Sequence, residues 1–205
     1  MRYLGPVLDN KWTFVPHFLR LVSRVRVVSA SLGRLMPNLG GPGRGARHLY
    51  LGVVRSVALY DAPVWYPDMA ASRRFRTLLQ SAQWGLVVWA ARGYQTIATV
   101  AAMLVTGALP WVLEARVYAD AYAESCARRR DPVAAPWTLK EQEVRRLNAR
   151  RRAVKDWGKS LSLDGPSSRA VGTIGPVLKE WVGRRCFGFL TFRAGASAHR
   201  AWLLW

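Results

Sequence analysis

From Phe14 to Leu35 apolar residues return every third or fourth position, as Phe14, Phe18, Leu21, Val22, Val25, Val28, Leu32 and Leu35. That spacing follows the 3.6-residue turn of an α-helix and leaves Arg20, Arg24 and Arg34 mostly off the apolar face. The pattern then resumes twice. A second helix is expected around 45–61, with Leu49, Tyr50, Val53, Val54, Val57 and Tyr60 inward and Arg44, Arg47 and Arg55 outside. A third is expected to begin near Ser72, whose hydroxyl suits an N-cap, with Phe75, Leu78, Leu79, Ala82 and Leu86 along one side. The tract Leu39-Gly40-Gly41-Pro42-Gly43 reads as the turn that ends the first helix.

Gly93 to Leu113 carries no charge, and about 20 apolar residues are enough to span a bilayer. Gly107 and Pro110 interrupt this stretch, while Tyr94, Gln95, Thr96, Thr99 and Thr106 dilute it. Two shorter core helices fit better, Pro110 taking the first position of the second, which runs through Glu114 to about Ser125. A small membrane protein with one span at 93–113 is the alternative reading.

The flanks differ in composition. Residues 1–10 read as a short strand-turn element bounded by Gly5, Pro6 and Asp9-Asn10. After Arg128-Arg129-Arg130, a linker with Asp131-Pro132 and Ala135-Pro136 leads to Thr138-Leu139-Lys140-Glu141, a capping box at the start of a charged helix. Its apolar stripe is thin: Val144, Leu147, Val154 and Trp157. From 161 onward Gly-, Pro- and Ser-rich turns precede one more short helix, with Pro176 at its start and Val177, Leu178, Trp181 and Val182 inside. The expected fold is therefore mainly α: an N-terminal strand-turn element, a helical bundle over 12–125, a basic linker and helix over 126–160, and an irregular segment over 161–205.

Lys and Arg number 31 against 12 acids, a formal net charge of +19. Charge of that size speaks to partners, and the phosphate backbone of RNA or DNA is the usual one. Helical placement singles out Lys11, Arg20 and Arg24, and then Arg145, Arg146, Arg150, Arg151 and Arg152, whose planar guanidinium forks suit phosphate oxygens. A solvated helix bridging two packed parts explains the second group equally well.

No catalytic site assembles from these residues. Cys126 and Cys186 have neither disulfide-framework nor zinc spacing, which fits a reducing compartment. His17, His48 and His199 have no ligand neighbours at metal-binding spacing, and Gly40-Gly41-Pro42-Gly43 lacks the Lys-Ser/Thr of a phosphate loop. Phosphoryl-transfer sites gather carboxylates around divalent cations, whereas Asp61 and Asp68 sit among Pro63 and Pro67 in what reads as a turn. Nothing near Met1 reads as a signal peptide, so a nuclear or cytoplasmic, not secreted, location is expected.

Several segments resemble, in order, the reverse transcriptases of non-LTR (LINE-type) retrotransposons. Arg2-Tyr3-Leu4-Gly5-x-x-Leu8-Asp9, followed by Trp12-Thr13-Phe14-x-x-His17, resembles the family's (K/R)-Y-L-G-V-x-L-D segment and its apolar helix. Leu49-Tyr50-x-x-Val53-Val54-x-Ser56-Val57-x-Leu59-Tyr60-x-Ala62-Pro63-Val64-Trp65 resembles an LYxxVVxxVxLYGAPVW box, with Asp61 where glycine is usual. Arg92-Gly93-Tyr94-Gln95-Thr96-Ile97-Ala98-Thr99 is similar to an RxYRTxS box, with Gln95 in place of arginine. Thr106-Gly107-Ala108-Leu109-Pro110-Trp111-x-Leu113-Glu114 is similar to an AGxPPxxLE box. Ala170 through Ala194 resembles the carboxy-terminal segment of the arthropod elements that insert into ribosomal DNA, after which Gly195–Trp205 diverges, as a frameshift or truncation would leave it.

The resemblance implies parts of a polymerase without its chemistry. The family's Mg2+-binding aspartates lie in an A-D-D box upstream of the Y-L-G segment, so no catalytic residue and no cofactor is implied for this chain. Tyr3, Leu4 and Gly5 would form a palm-edge primer-grip remnant within 1–11. Residues 12–125 would be a thumb-like bundle and the basic helix a connector. The implied partners are an RNA template and DNA primer, or an RNA–DNA duplex, with a palm domain supplied in trans. A stand-alone basic RNA-binding protein is the other reading.

Overall fold

The computed structural model describes residues 7, 10, 14–34, 44–91, 93–131 and 135–186, which are mainly helical and contain no strand. The helices are α1 (Val15–Arg34), α2 (Arg44–Ala58), α3 (Ala62–Ala71), α4 (Arg73–Ala91), α5 (Thr99–Thr106), α6 (Trp111–Arg130), α7 (Leu139–Ser160), α8 (Ser168–Ile174) and α9 (Leu178–Cys186), with a 3-10 turn at Gly175–Val177 before the last. The strand-turn element expected over 1–10 finds no support: only Val7 and Asn10 are described, and Val7 donates its N–H to His17 Nδ1 at 3.4 Å. The turn at 39–43 and everything after Cys186 lie outside the described residues.

α1 buries the face its periodicity dictates, with Phe18 and Val25 at 0–1% exposure and Phe14, Leu21 and Val22 close behind. It runs parallel to α4: Phe18 stacks on Phe75 at 4.4 Å, Arg26 reaches Ser81, and Gly33 lies against Trp89. Trp65 of α3 closes the cluster edge-on to Phe18 at 5.3 Å and donates its indole N–H to the Tyr60 carbonyl. Each such aromatic contributes roughly 2–3 kcal/mol through burial.

α2 departs from expectation. Its inward stripe is Tyr50, Val54 and Ala58, at i, i+4 and i+8, while Leu49 is 68%, Tyr60 56% and Val53 37% exposed. The apolar arc of this segment is wider than the surface α1 and α4 offer it, so one edge stays in solvent. The Asp61–Asp68 segment, expected as a turn, is helix α3 in spite of two prolines. Pro63 falls in the first turn, where a missing N–H costs nothing; Pro67 forgoes one internal bond that burial of Ala62, Trp65 and Met69 offsets.

Asp61 starts α3 with φ 53° and ψ 24°, the one positive φ outside glycine among the described residues. Its side chain makes no capping bond, and its Oδ2 is buried with no hydrogen-bond partner. The glycine expected at this position by resemblance would adopt that conformation without strain. Burial pushes the Asp61 carboxyl above its usual pKa. A folded-state pKa above the unfolded one favours the fold below the unfolded pKa and costs stability as pH rises through the folded value. Asp61→Gly therefore raises stability by about 1 kcal/mol at neutral pH, net of glycine's larger unfolded-state entropy, and by less below about pH 4. Thermal melts at the two pH values check this; an unchanged or lower midpoint at neutral pH contradicts it.

The uncharged stretch is two core helices, as expected. α5 ends at Gly107, φ 67°, where Ala108 N–H bonds the Met103 carbonyl and Gly107 N–H the Leu104 carbonyl, the paired closure of a Schellman motif. Pro110 then caps α6 from one position before the helix. Ala102, Met103, Leu104 and Leu109 are buried in a second core with Val87, Val154, Trp157, Val171, Leu178 and Val182. No single helix among the described residues is long and apolar enough to cross a membrane; α5 and α6 pass together by composition but are bent by 61°.

α7 opens with the expected capping box: Thr138 Oγ1 accepts from Glu141 N–H at 3.3 Å and Thr138 N–H donates to Glu141 Oε2 at 2.8 Å. These bonds hold the Glu141 carboxyl below its usual pKa. Of the thin stripe, Val154 and Trp157 are buried with Ala153, Leu147 is half-buried and Val144 is exposed, so α7 docks by its second half. The segment after 161 holds the expected short helix as α9 and, in the part expected as irregular, α8; Leu178 and Val182 are buried, but Val177 is 46% exposed in the 3-10 turn. Trp181 fixes α9 to α5 by donating its indole N–H to the Leu104 carbonyl at 2.7 Å.

Candidate nucleic-acid interface

Tyr3, Leu4, Gly5 and Lys11 lie outside the described residues. Arg20 and Arg24 sit one helical turn apart on the solvent face of α1, opposite Phe18, Leu21 and Val25. No carboxylate among the described residues pairs with either.

The five arginines of α7 separate by geometry. Arg150 is 21% exposed and donates to Glu114 Oε1 at 3.0 Å, so it is committed inward. Arg145 lies 3.9 Å from the Trp137 ring centroid and donates to Glu124 Oε2 at 3.2 Å. Arg128 approaches the same indole at 5.4 Å. Arg146 covers Tyr118 at 4.8 Å and donates to its hydroxyl, a neutral partner that leaves the charge intact. Arg151 bonds Asn148 Oδ1 at 3.4 Å, and Arg152 is exposed beside it. Helical spacing already sets Arg150 on the row of Leu147, Val154 and Trp157, three after the first and four before the second; which of the five meets a carboxylate depends on α6. Of the sequence-predicted arginines among the described residues, Arg20, Arg24, Arg146, Arg151 and Arg152 have no carboxylate partner and are exposed.

Two polar residues that organise this side of the molecule escape the sequence reading. Glu114, 4% exposed in the first turn of α6, accepts from Arg55 of α2 at 3.3 Å and from Arg150 of α7 at 3.0 Å through the same oxygen. Gln83, 1% exposed in α4, accepts from Trp111 N–H at 2.9 Å and donates to the Leu109 carbonyl at 2.8 Å, clamping the α5–α6 corner. A signal existed for Gln83. It falls on the apolar row Leu79, Ala82, Leu86 of α4, and an amide on a buried face must find partners.

Among the described residues no group of three or more His, Cys, Asp or Glu is placed to hold a metal ion. His17 is buried between Phe14 and Phe18, which pushes its pKa down; His48 is exposed; His199 lies outside the described residues. Cys126 is a free, half-buried thiol.

Comparison with known proteins gives two relatives. The chain is 32% identical over 125 residues, 59% of its length, to the 115 kDa protein in type-1 retrotransposable element R1DM of Drosophila melanogaster. It is 30% identical over 117 residues, 56% of its length, to the retrovirus-related Pol polyprotein from type-1 retrotransposable element R1 of Bradysia coprophila. The matched part is 12% of the length of each of these proteins. No family model and no solved structure matches the chain.

Proposed function

For a chain that is homologous to R1-type non-LTR retrotransposon proteins, we propose a role as a template–primer-gripping, thumb-like part of a reverse transcriptase, without polymerase chemistry of its own. The observation that carries this reading is a group of arginines left without carboxylate partners on α1 and α7, among them Arg20, Arg24, Arg151 and Arg152, on a helical frame. Unneutralised guanidiniums on fixed helices suit the evenly spaced charges of a nucleic-acid backbone. The family's primer-grip role for Tyr3, Leu4, Gly5 and Lys11 belongs to the same proposal. Leu49, Val53 and Val64, left exposed on α2 and α3, support a docking face toward a palm domain supplied in trans.

The test is binding of a blunt RNA–DNA duplex by the full chain across a salt series. With about four phosphates neutralised, affinity falls roughly 100-fold between 50 and 200 mM salt. No binding at the low-salt end, or an affinity indifferent to salt, overturns the reading. Nucleotide incorporation by the isolated chain in Mg2+ overturns the non-catalytic half of it.

A further inference from the structure

We propose that the groove between α1 and α4 is a single-strand subsite, seating an unpaired nucleotide with its flanking phosphates on Arg26 and Arg34 and its base against Trp89. The inference rests on the nucleic-acid reading above and names where an unpaired segment would go.

The groove is an open depression of about 840 Å³. Its floor is small: Ala30 and Gly33 from α1, Ala82 and Gly85 from α4. A Cβ on Gly33 would touch the Trp89 ring at 3.4 Å, so the indole lies directly on the α1 backbone. Tyr50 approaches the indole at 5.8 Å, tilted 41° to it, with its hydroxyl hydrogen-bonded to Ser29 Oγ at 2.6 Å. Trp89 is thus fixed in place while 41% of it faces solvent. A large indole held rigid and half exposed is a stacking platform, and every base has a face to offer it.

Charge selects the ligand. The lining contains Arg26 and Arg34 and no carboxylate. Arg26 donates across the groove to Ser81 Oγ at 3.4 Å, a neutral partner that leaves its charge uncancelled. The groove beside Trp137 differs, because Glu124 and Glu141 line it along with its cations. Arg26 and Arg34 are eight residues apart on one helix, about 12 Å along its axis, which leaves room for a nucleoside between two bound phosphates. A duplex keeps its bases stacked and would reach only the arginines, so Trp89 singles out an unpaired strand.

Gly85 provides the test, since it lines the groove and a Cβ built there meets nothing within 4 Å. Binding of an eight-nucleotide oligouridylate and of a blunt RNA–DNA duplex is measured on the full chain and on Gly85→Gln and Gly85→Glu. Both variants are expected to melt at or above the parent temperature, because glycine is a poor helix former. Gly85→Gln should weaken oligouridylate about tenfold and Gly85→Glu more, with duplex affinity within about twofold of the parent. If the Gln variant binds oligouridylate like the parent, no base occupies the groove and the proposal fails, whatever the Glu variant does. It fails equally if the duplex weakens as much as the single strand, or if a decaglutamate peptide competes as well as oligouridylate. A parent chain that binds duplex but not oligouridylate overturns this inference alone; one that binds neither overturns the gripping role as well.

Discussion

Glu114→Ala is expected to lower the unfolding free energy by about 2–3 kcal/mol, even though Glu114 forms no part of the apolar core. Its carboxylate is 4% exposed and holds Arg55 at 3.3 Å and Arg150 at 3.0 Å through one oxygen. Removing it turns a +2/−1 cluster into two cations facing each other across α2, α6 and α7. A fully buried pair broken from one side costs about 3–5 kcal/mol; here Arg55 and Arg150 keep 35% and 21% of their side-chain surface and rehydrate in part, which brings the figure down. The carboxylate also sits in the first turn of α6, where the helix dipole favours negative charge. Arg150→Met should cost less, because Glu114 keeps Arg55. Chemical denaturation of the two variants checks the order: a loss for Glu114→Ala under about 0.5 kcal/mol, or a larger loss for Arg150→Met, contradicts it.

Gln83→Leu carries the other large effect, about 3 kcal/mol, although leucine nearly matches glutamine in size. The amide is 1% exposed and serves both sides of the α5–α6 corner, donating to the Leu109 carbonyl and accepting the Trp111 N–H, one of the free donors at the start of α6. Leucine keeps the packing and strands both backbone groups, each at about 1–3 kcal/mol. Gln83→Glu adds a test with a sign. Its ionised carboxylate still accepts from Trp111 N–H but sets a negative oxygen against the Leu109 carbonyl, whereas the protonated acid can donate to it. Burial and the facing carbonyl both favour the protonated form, so this variant gains stability relative to the parent as pH falls. A Gln83→Leu variant within about 0.5 kcal/mol of the parent, or a Gln83→Glu variant whose deficit is the same at pH 7 and pH 4, would falsify the clamp.

These two side chains mark the boundary of what the residue pattern discloses. α1, α4, the Thr138–Glu141 box and the break at Gly107 and Pro110 follow from local physics: helical periodicity, N–H groups needing caps, a left-handed turn needing glycine. Each is decided within about one helical turn of chain, so the sequence carries it whole. α3 was hidden because its two prolines argue locally for a turn, and the burial of Trp65 against Phe18 comes from residues distant in sequence. For α2, periodicity identified an apolar arc; only the placement of α1 and α4 chose Tyr50, Val54 and Ala58 over Leu49, Val53 and Tyr60.

The candidate interface divides in the same way. The excess of arginine, the helices that carry it and the similarity to R1-type retrotransposon proteins were all present in the linear chain. Which arginines keep their charge was not. Arg150 is neutralised and Arg152 is left exposed because α6 brings Glu114 to the first and no carboxylate to the second. Local conformation belongs to neighbours in sequence and was determined there. Neutralisation and burial depend on groups brought together by packing, and only the tertiary structure decided them.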